Sequence, residues 1–372
     1  MACSEFDGQV VRREGELGKL FDKFVTVRIV KANDLDLNLF QFDYNLTFSI
    51  FFMNADKTIY GRYGTRSSVE DAERHMSKEG LAQALQSALL LHENYPGNRG
   101  VLASKQPIIS EYKEPNDYPA LRGRYKSTLD YAGEVTKSCL HCHQIQDAAR
   151  QVVREQRQPI SEAQMYPYPL PRAIGFSLDP QTRSSIDSVV EGTAAGLGGL
   201  APGDEVITLG GQAILSIADV QWVLHHAKSS QNLSAVVERA GERVSLNIKL
   251  AEGWRRQTDI AWRVSSWGMR RIGTGGALFQ PLTTQERRNA GVNLDGLALR
   301  VKHVGQYGAH GAAKRAGVKV GDILISYDSQ VDDWTPSQLL GYIGQKTVTG
   351  QKVVIRINRE GKILNVTLPI QK

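Results

Sequence analysis

The sequence predicts several domains, α/β at the start and mostly β after residue 169. Three observations carry this expectation. Before residue 110, short β-branched and apolar runs alternate with one stripe of helical period. A Pro- and Tyr-rich stretch holding two closely spaced cysteines separates the halves. Beyond it a Gly-Asp pattern occurs twice, 118 residues apart (322 − 204).

At roughly 100–200 residues per domain, 372 residues allow two to four domains. Hydrophobic residues make up 41% and charged residues 23%, which excludes disordered and fibrous classes. The net charge of +6 is mild and spread along the chain, so no nucleic-acid partner is expected. No run of 18 apolar residues occurs, so no membrane-spanning helix is expected.

Phe24 to Val30 (FVTVRIV) alternates β-branched residues and reads as a strand. Leu46 to Met53 (LTFSIFFM) reads as a central strand buried on both faces. Asn54-Ala55-Asp56 turns the chain, and Thr58 to Tyr63 returns as a hairpin partner. Ser68 opens a long helical stretch in which Leu81, Leu85, Ala88, Leu89 and His92 form one stripe. Pro96-Gly97-Asn98 ends it. The next segment, 111–168, mixes prolines and tyrosines with a helix-compatible run from Glu134 to Gln158 that contains the cysteine pair.

The repeat follows. Its copies contain Leu200-Ala-Pro-Gly-Asp-Glu-Val-Ile207 and Val318-Lys-Val-Gly-Asp-Ile-Leu-Ile325. Small-residue stretches precede them, Gly192 to Gly196 and Gly311 to Gly317. Short helices follow, Ile217 to Ala227 and Thr335 to Gln345. Each copy ends in a hairpin, turned by Ala240-Gly241-Glu242 or Glu360-Gly361-Lys362. Both copies, 169–252 and 286–372, resemble PDZ domains of the bacterial HtrA type. The 1–110 segment resembles a degenerate thioredoxin-like domain. The whole is similar to exported bacterial proteins that combine a thioredoxin-like domain, a haem-type CxxCH and tandem PDZ domains. This resemblance implies a periplasmic or exported protein. The first residues, MACSEFDGQV, carry no export signal, and a start inside the thioredoxin-like fold would explain that.

Cys139-Leu140-His141-Cys142-His143 is C-x-x-C-H. With three cysteines and eight histidines, the pattern is expected by chance about 0.0005 times. A helix would project both thiols from one face, where they could form thioethers to haem c, with His143 as proximal iron ligand. Met165 or Met269 could supply a sixth ligand. A redox dithiol and half of a zinc site are the alternatives. A haem would imply a redox partner or a sensing role. Cys3 stands without a second cysteine at Phe6, which argues against dithiol exchange by the N-terminal domain.

A PDZ domain adds an extended C-terminus beside an edge strand and holds the carboxylate in backbone N–H groups. The resemblance places that groove at Gly175, Phe176 and Leu178, with Val220 and Val223 of the late helix. In the second copy it falls at Gly296, Leu297 and Leu299, with Leu339 and Leu340. Protein C-termini with a hydrophobic last residue are the expected partners. No GNSGG or GxSxG sequence is present, so protease chemistry is not expected. The 253–285 connector interleaves Trp254, Trp262 and Trp267 with arginines, and packing is the expected role.

Overall fold

A computed structural model describes residues 15–46, 48–66 and 75–372. Cys3, Phe6 and Ser68 lie outside the described residues. The chain divides into two compact units, Met1–Ile145 with Tyr166–Thr258, and Gln146–Met165 with Asp259–Lys372.

The first unit opens with helix α1 (Gly15–Phe21) and an antiparallel hairpin, β1 (Ile50–Met53) and β2 (Ile59–Tyr63). The turn forms where expected: Asn54 accepts from Lys57 N, and the Asp56 carboxylate accepts from Thr58 N at 3.0 Å. Helix α2 (Lys78–Glu93) starts at Ser77, whose hydroxyl accepts from Gly80 N at 2.9 Å. Leu81, Ala84, Leu85 and Ala88 pack against Phe52, Tyr60, Tyr63 and Phe21. Of the expected stripe, Leu89 is half-buried, and His92 lies at the rim, bonded to the Tyr60 hydroxyl at 2.9 Å.

Two expectations need correction. Phe24–Val30 is not a strand, and Val25 is 95% exposed and Val27 83%. Alternation yields a strand only when one face finds an apolar surface to cover, and these valines cover none. In β1 only Phe52 is deeply buried, so β1 is half of a two-stranded sheet and not a central strand. Among the described residues, the N-terminal segment therefore offers the thioredoxin-like expectation one hairpin and two helices longer than five residues.

The helix expected from Glu134 to Gln158 is broken at the cysteines. Helix α3 (Val135–Ser138) ends before Cys139, whose backbone is extended, and α4 (His143–Glu155) begins after Cys142. Asn33 causes the break: its amide donates to Ser138 O at 2.9 Å and accepts from Leu140 N at 2.9 Å. A side chain that satisfies both backbone groups substitutes for the helical ladder there.

The remainder of the first unit is β3 (Phe176–Leu178) paired with β4 (Ile186–Val189), α5 (Ala194–Leu197), β5 (Glu205–Leu209), β6 (Gln212–Ala213), α6 (Ile217–His226), β7 (Gln231–Arg239) and β8 (Glu242–Leu250). The larger sheet has the order β6-β5-β7-β8. Val206, Val237, Ile248, Val220 and Leu224 fill the core, and Trp254 closes it. Arg255 donates to the carbonyls of Leu224, His225 and Ala227 and so caps the C-terminus of α6. Two of the connector's residues thus complete this domain.

The second unit holds α7 (Ser266–Thr274), β9 (Ala277–Pro281), β10 (Leu299–Val304), α8 (Ala312–Arg315), β11 (Ile323–Tyr327), α9 (Pro336–Lys346), β12 (Lys352–Arg359) and β13 (Lys362–Pro369). Its sheet order is β13-β12-β11-β10-β9. The repeat is physical as well as textual. Arg239 clasps Asp204 through Nε–Oδ1 at 2.6 Å and Nη2–Oδ2 at 2.8 Å, and Arg359 clasps Asp322 at 2.7 and 2.8 Å. Each arginine also donates to a glycine carbonyl, Gly199 or Gly317, at 2.7 Å. The final hairpins turn through Ala240 (φ 52) and Gly241 (φ 83), or Glu360 (φ 50) and Gly361 (φ 83). Two successive positive φ values match the turn to the strand twist.

Candidate functional site

Equivalent backbone bonds fix how the two copies correspond. Ile186 N donates to Asp204 O at 2.8 Å and Ile186 O accepts from Gly203 N at 2.8 Å. Val301 makes the same pair with Asp322 and Gly321, at 2.8 and 2.9 Å. Val190 N donates to Gly175 O at 2.8 Å, and Gly305 N donates to Gly276 O at 3.1 Å. Gly276 is therefore the counterpart of Gly175, and β9 is the counterpart of β3. The residues expected for a second groove do not lie on the edge strand. Gly296 and Leu297 precede β10, and Leu299 begins it, one strand inside the sheet. The edge strand is β9, entered through Gly275 (φ 62) and Gly276 (φ 86). The second copy thus starts well before residue 286. The repeat of Gly-Asp hid this, because an insertion between β9 and β10 separates the edge strand from the rest of the copy.

Both entry glycines are structurally required. Gly175 (φ 99) would press a Cβ into Thr193, and Gly276 would press one into the His310 carbonyl. Behind Gly175, Phe176, Leu178, Val220 and Val223 come together in one cluster, each at most 4% exposed. In the second copy Leu339, Leu340 and Ala277 are buried, while Leu278 and Phe279 on β9 are half-buried.

Helix α6 is covered on its other faces. Asp219 is paired with Lys105, Nζ–Oδ1 2.9 Å, and both side chains are at most 1% exposed. Asp219 also accepts from Leu215 N at 3.0 Å and Arg62 N at 3.3 Å. Burial pushes the Lys105 ammonium down, with Asp219 opposing it. The Arg62 guanidinium lies over the Trp222 ring, 3.6 Å from its centroid, and burial lowers it to about 10. Sequence reasoning missed this network, because its members are 157 residues apart (219 − 62) and no local pattern links them.

At the CxxCH segment, Cys139 and Cys142 are free thiols, both half-buried. Burial pushes the Cys142 thiol up to about 11, and neighbouring Cys139 adds to the shift. Burial likewise raises the Tyr44 hydroxyl well above its usual range, reinforced by Tyr168, Tyr118 and Cys142. His143 opens α4 and its ring stacks with His141, centroids 5.9 Å apart. Among the described residues no group of three or more His, Cys, Asp or Glu is arranged to hold a metal ion. Met165 and Met269 belong to the second unit, where both are fully buried and meet at Gly344. Core packing accounts for both.

Residues 172–250 match the PDZ domain family, so the chain contains a PDZ domain. The chain is 25% identical over 199 residues to a "Probable periplasmic serine endoprotease DegP-like" of Ectopseudomonas mendocina, covering 53% of this chain and 40% of the relative. A protein of the same description from Pseudomonas savastanoi pv. phaseolicola is 23% identical over 203 residues, covering 54% and 40%. The chain therefore spans about two fifths of the length of these relatives. A solved structure, "HtrA-type protease AlgW with decapeptide", matches at 19% identity over 50% of this chain and 54% of the other, with a TM-score of 0.26. No helix of the described residues is long and apolar enough to cross a membrane.

Proposed function

We propose that this chain is a non-proteolytic binding module that holds protein C-termini in PDZ grooves, the second copy being a PDZ domain as well. One observation carries the proposal: residues 172–250 match the PDZ family, and the second unit reproduces that unit's Gly-Asp clasp, hairpin turn and edge strand bond for bond. A peptide strand adds to the outer edge of β9 or β3, and the N–H groups at the entry glycines receive its carboxylate. Partly exposed Phe279, at the position on β9 that Leu178 holds on β3, favours an apolar last residue. The periplasmic description of the relatives supports an exported protein. Titration with a decapeptide ending in Leu and with the same peptide ending in Asp tests it. The account expects binding of the first only, and equal binding of both would refute it.

The donor set at 139–143 suits a covalent c-type haem: two thiols outside any disulfide, and an imidazole at the first position of a helix. Cys139 and Cys142 would hold it through thioethers and His143 would ligate its iron. Such a group supplies one-electron transfer, which fits a carrier or sensor tethered by the PDZ grooves. Coexpression of an exported form with haem-attachment machinery decides it. A visible haem band that survives denaturation, and is lost in Cys139→Ala and Cys142→Ala, is expected. Its absence from the wild type would refute the haem.

A further inference from the structure

We infer that a cavity of about 630 Å³ in the first unit is a second binding site, which takes an uncharged, extended stretch of polypeptide through its main-chain amides and requires no free C-terminus. Helix α6 supplies Val223 and His226 to its wall, and the turn between β5 and β6 supplies Gly210 and Gln212. The first residues of β7, Gln231 to Ser234, form another side, and Pro107 and Ile108 close it. None of the described residues that line it belongs to β3 or to the Gly175 turn, so it is separate from the groove proposed above. Its volume lies within the range of ligand cavities, about 300–1,000 Å³.

The wall over 103–108 is anchored. Ser104 O accepts from Trp222 Nε1 at 2.9 Å, and Lys105 makes its buried pair with Asp219. The Gln106 side chain accepts from Ile59 N at 2.9 Å and donates to Ile59 O at 3.0 Å. Ile108 is held in the same way: its N–H donates to Gln41 Oε1 at 3.0 Å and its carbonyl accepts from Gln41 Nε2 at 2.6 Å. These bonds fix the wall before any ligand arrives, which lowers the ordering cost of binding.

The chemistry of the lining selects the ligand. The described residues that line the cavity include no Asp, Glu, Lys or Arg, so a charged ligand would lose hydration and gain no counter-charge. Gln212 is 5% exposed, and its Oε1 has no hydrogen-bond partner among the described residues. A buried acceptor left unpaired is costly, and a ligand N–H would relieve it. His226 Nδ1 lies 2.9 Å from the Trp222 carbonyl, which can only accept, so Nδ1 carries the proton and Nε2 is left as an acceptor. Burial, with Arg62 and Arg255 nearby, lowers the pKa of this ring and keeps it neutral. The start of β7 adds a strand edge. Gly210 N donates to Ser234 O at 2.7 Å, so Ser234 turns its main-chain groups toward β5, and Asn232, two residues earlier, turns its own the same way. The β5–β7 ladder ends at Leu209 and Ala235, which leaves the Asn232 N–H and C=O beyond it. One donor and one acceptor side by side are what an extended peptide pairs with. Val223, Leu233 and Ile108 beside them suit one apolar side chain.

Calorimetric titration and hydrogen exchange of the full chain with a blocked pentapeptide, acetyl-Ser-Asn-Leu-Asn-Ser-amide, test this. Wild type should bind it and gain protection over 231–234, and the same peptide with Lys in place of Leu should bind at least tenfold more weakly. Gln212→Leu should weaken binding at least tenfold without lowering the melting temperature, because it removes an unpaired buried acceptor. Ile108→Glu, at a position 60% exposed, puts a charge on the wall and should weaken binding as much; it decides the matter if Gln212→Leu does not fold. No binding by the wild type overturns the inference, as does equal affinity for the Leu and Lys peptides. Protection confined to 176–178 or 277–281, or wild-type affinity in the folded variants, overturns it as well. The probe has no terminal carboxylate, so its failure is distinct from failure of C-terminus recognition in the PDZ grooves.

Discussion

Asp204→Ala and Asp322→Ala should cost the same, because the two carboxylates do the same work. Each is buried to within 2% of full occlusion and takes two bonds from one arginine plus a backbone N–H, from Ala201 at 2.9 Å or Lys319 at 2.8 Å. A hydrogen bond to a charged group contributes roughly 1.5–3 kcal/mol net. The side chains of Arg239 and Arg359 are 40% and 27% exposed, so each freed guanidinium rehydrates, which offsets much of the loss. The expected net cost is about 2–3 kcal/mol in each copy. At roughly 1–3 kcal/mol per molar, urea midpoints for the affected unit should fall by about 1 M or more. The acid arm sharpens the test for Asp204. Burial alone would raise this carboxyl, but the Arg239 bonds and the Ala201 N–H outweigh it and hold it below the usual range. A depressed folded pKa gives stability that is present above the unfolded value of about 3.9 and lost as pH falls through the folded one. Wild type and Asp204→Ala should therefore differ at pH 7 and converge in strong acid. One variant costing under about 0.5 kcal/mol while the other unfolds its unit would refute the equivalence of the two copies.

Other outcomes follow from the buried charges and the thiols. Asp219→Ala strands the Lys105 ammonium inside the first unit, leaves the Arg62 and Leu215 N–H groups without their acceptor, and should cost about 3–5 kcal/mol by urea melts. Adding Lys105→Met should recover part of that loss, and no recovery would show that the pair is not coupled. In protein made without haem, alkylation of Cys142 should be slow at neutral pH and rise toward pH 11, following its raised thiol. A plateau already at pH 7 would contradict the buried-thiol description and favour disulfide exchange.

Local pattern made several turns and helices legible and the long-range contacts not. The hairpin turns at Ala240-Gly241 and Glu360-Gly361, the late helices and the Gly-Asp pair were all readable, because each is set by residues adjacent in sequence. The β-branched run at Phe24–Val30 misled, since strand formation depends on a surface that the run itself does not encode. The cysteine pair was found, but not the helix break that holds it, because Asn33 acts from 105 residues away (138 − 33). The edge strand of the second copy was not legible for a related reason. Only the pairing of β9 with β10 shows that Gly275-Gly276 enters an edge strand. Phe176, Leu178, Val220 and Val223 lie in one buried cluster of the first PDZ domain, together with residues that no local pattern joins to them, such as Trp254.

The most direct test of the central claim is calorimetric titration of the intact protein with a decapeptide ending in free Leu and with its C-terminal amide. Recognition of a C-terminus through the entry-glycine N–H groups predicts binding at least tenfold weaker for the amide, or about 1.4 kcal/mol. Equal affinities for the two peptides would contradict it.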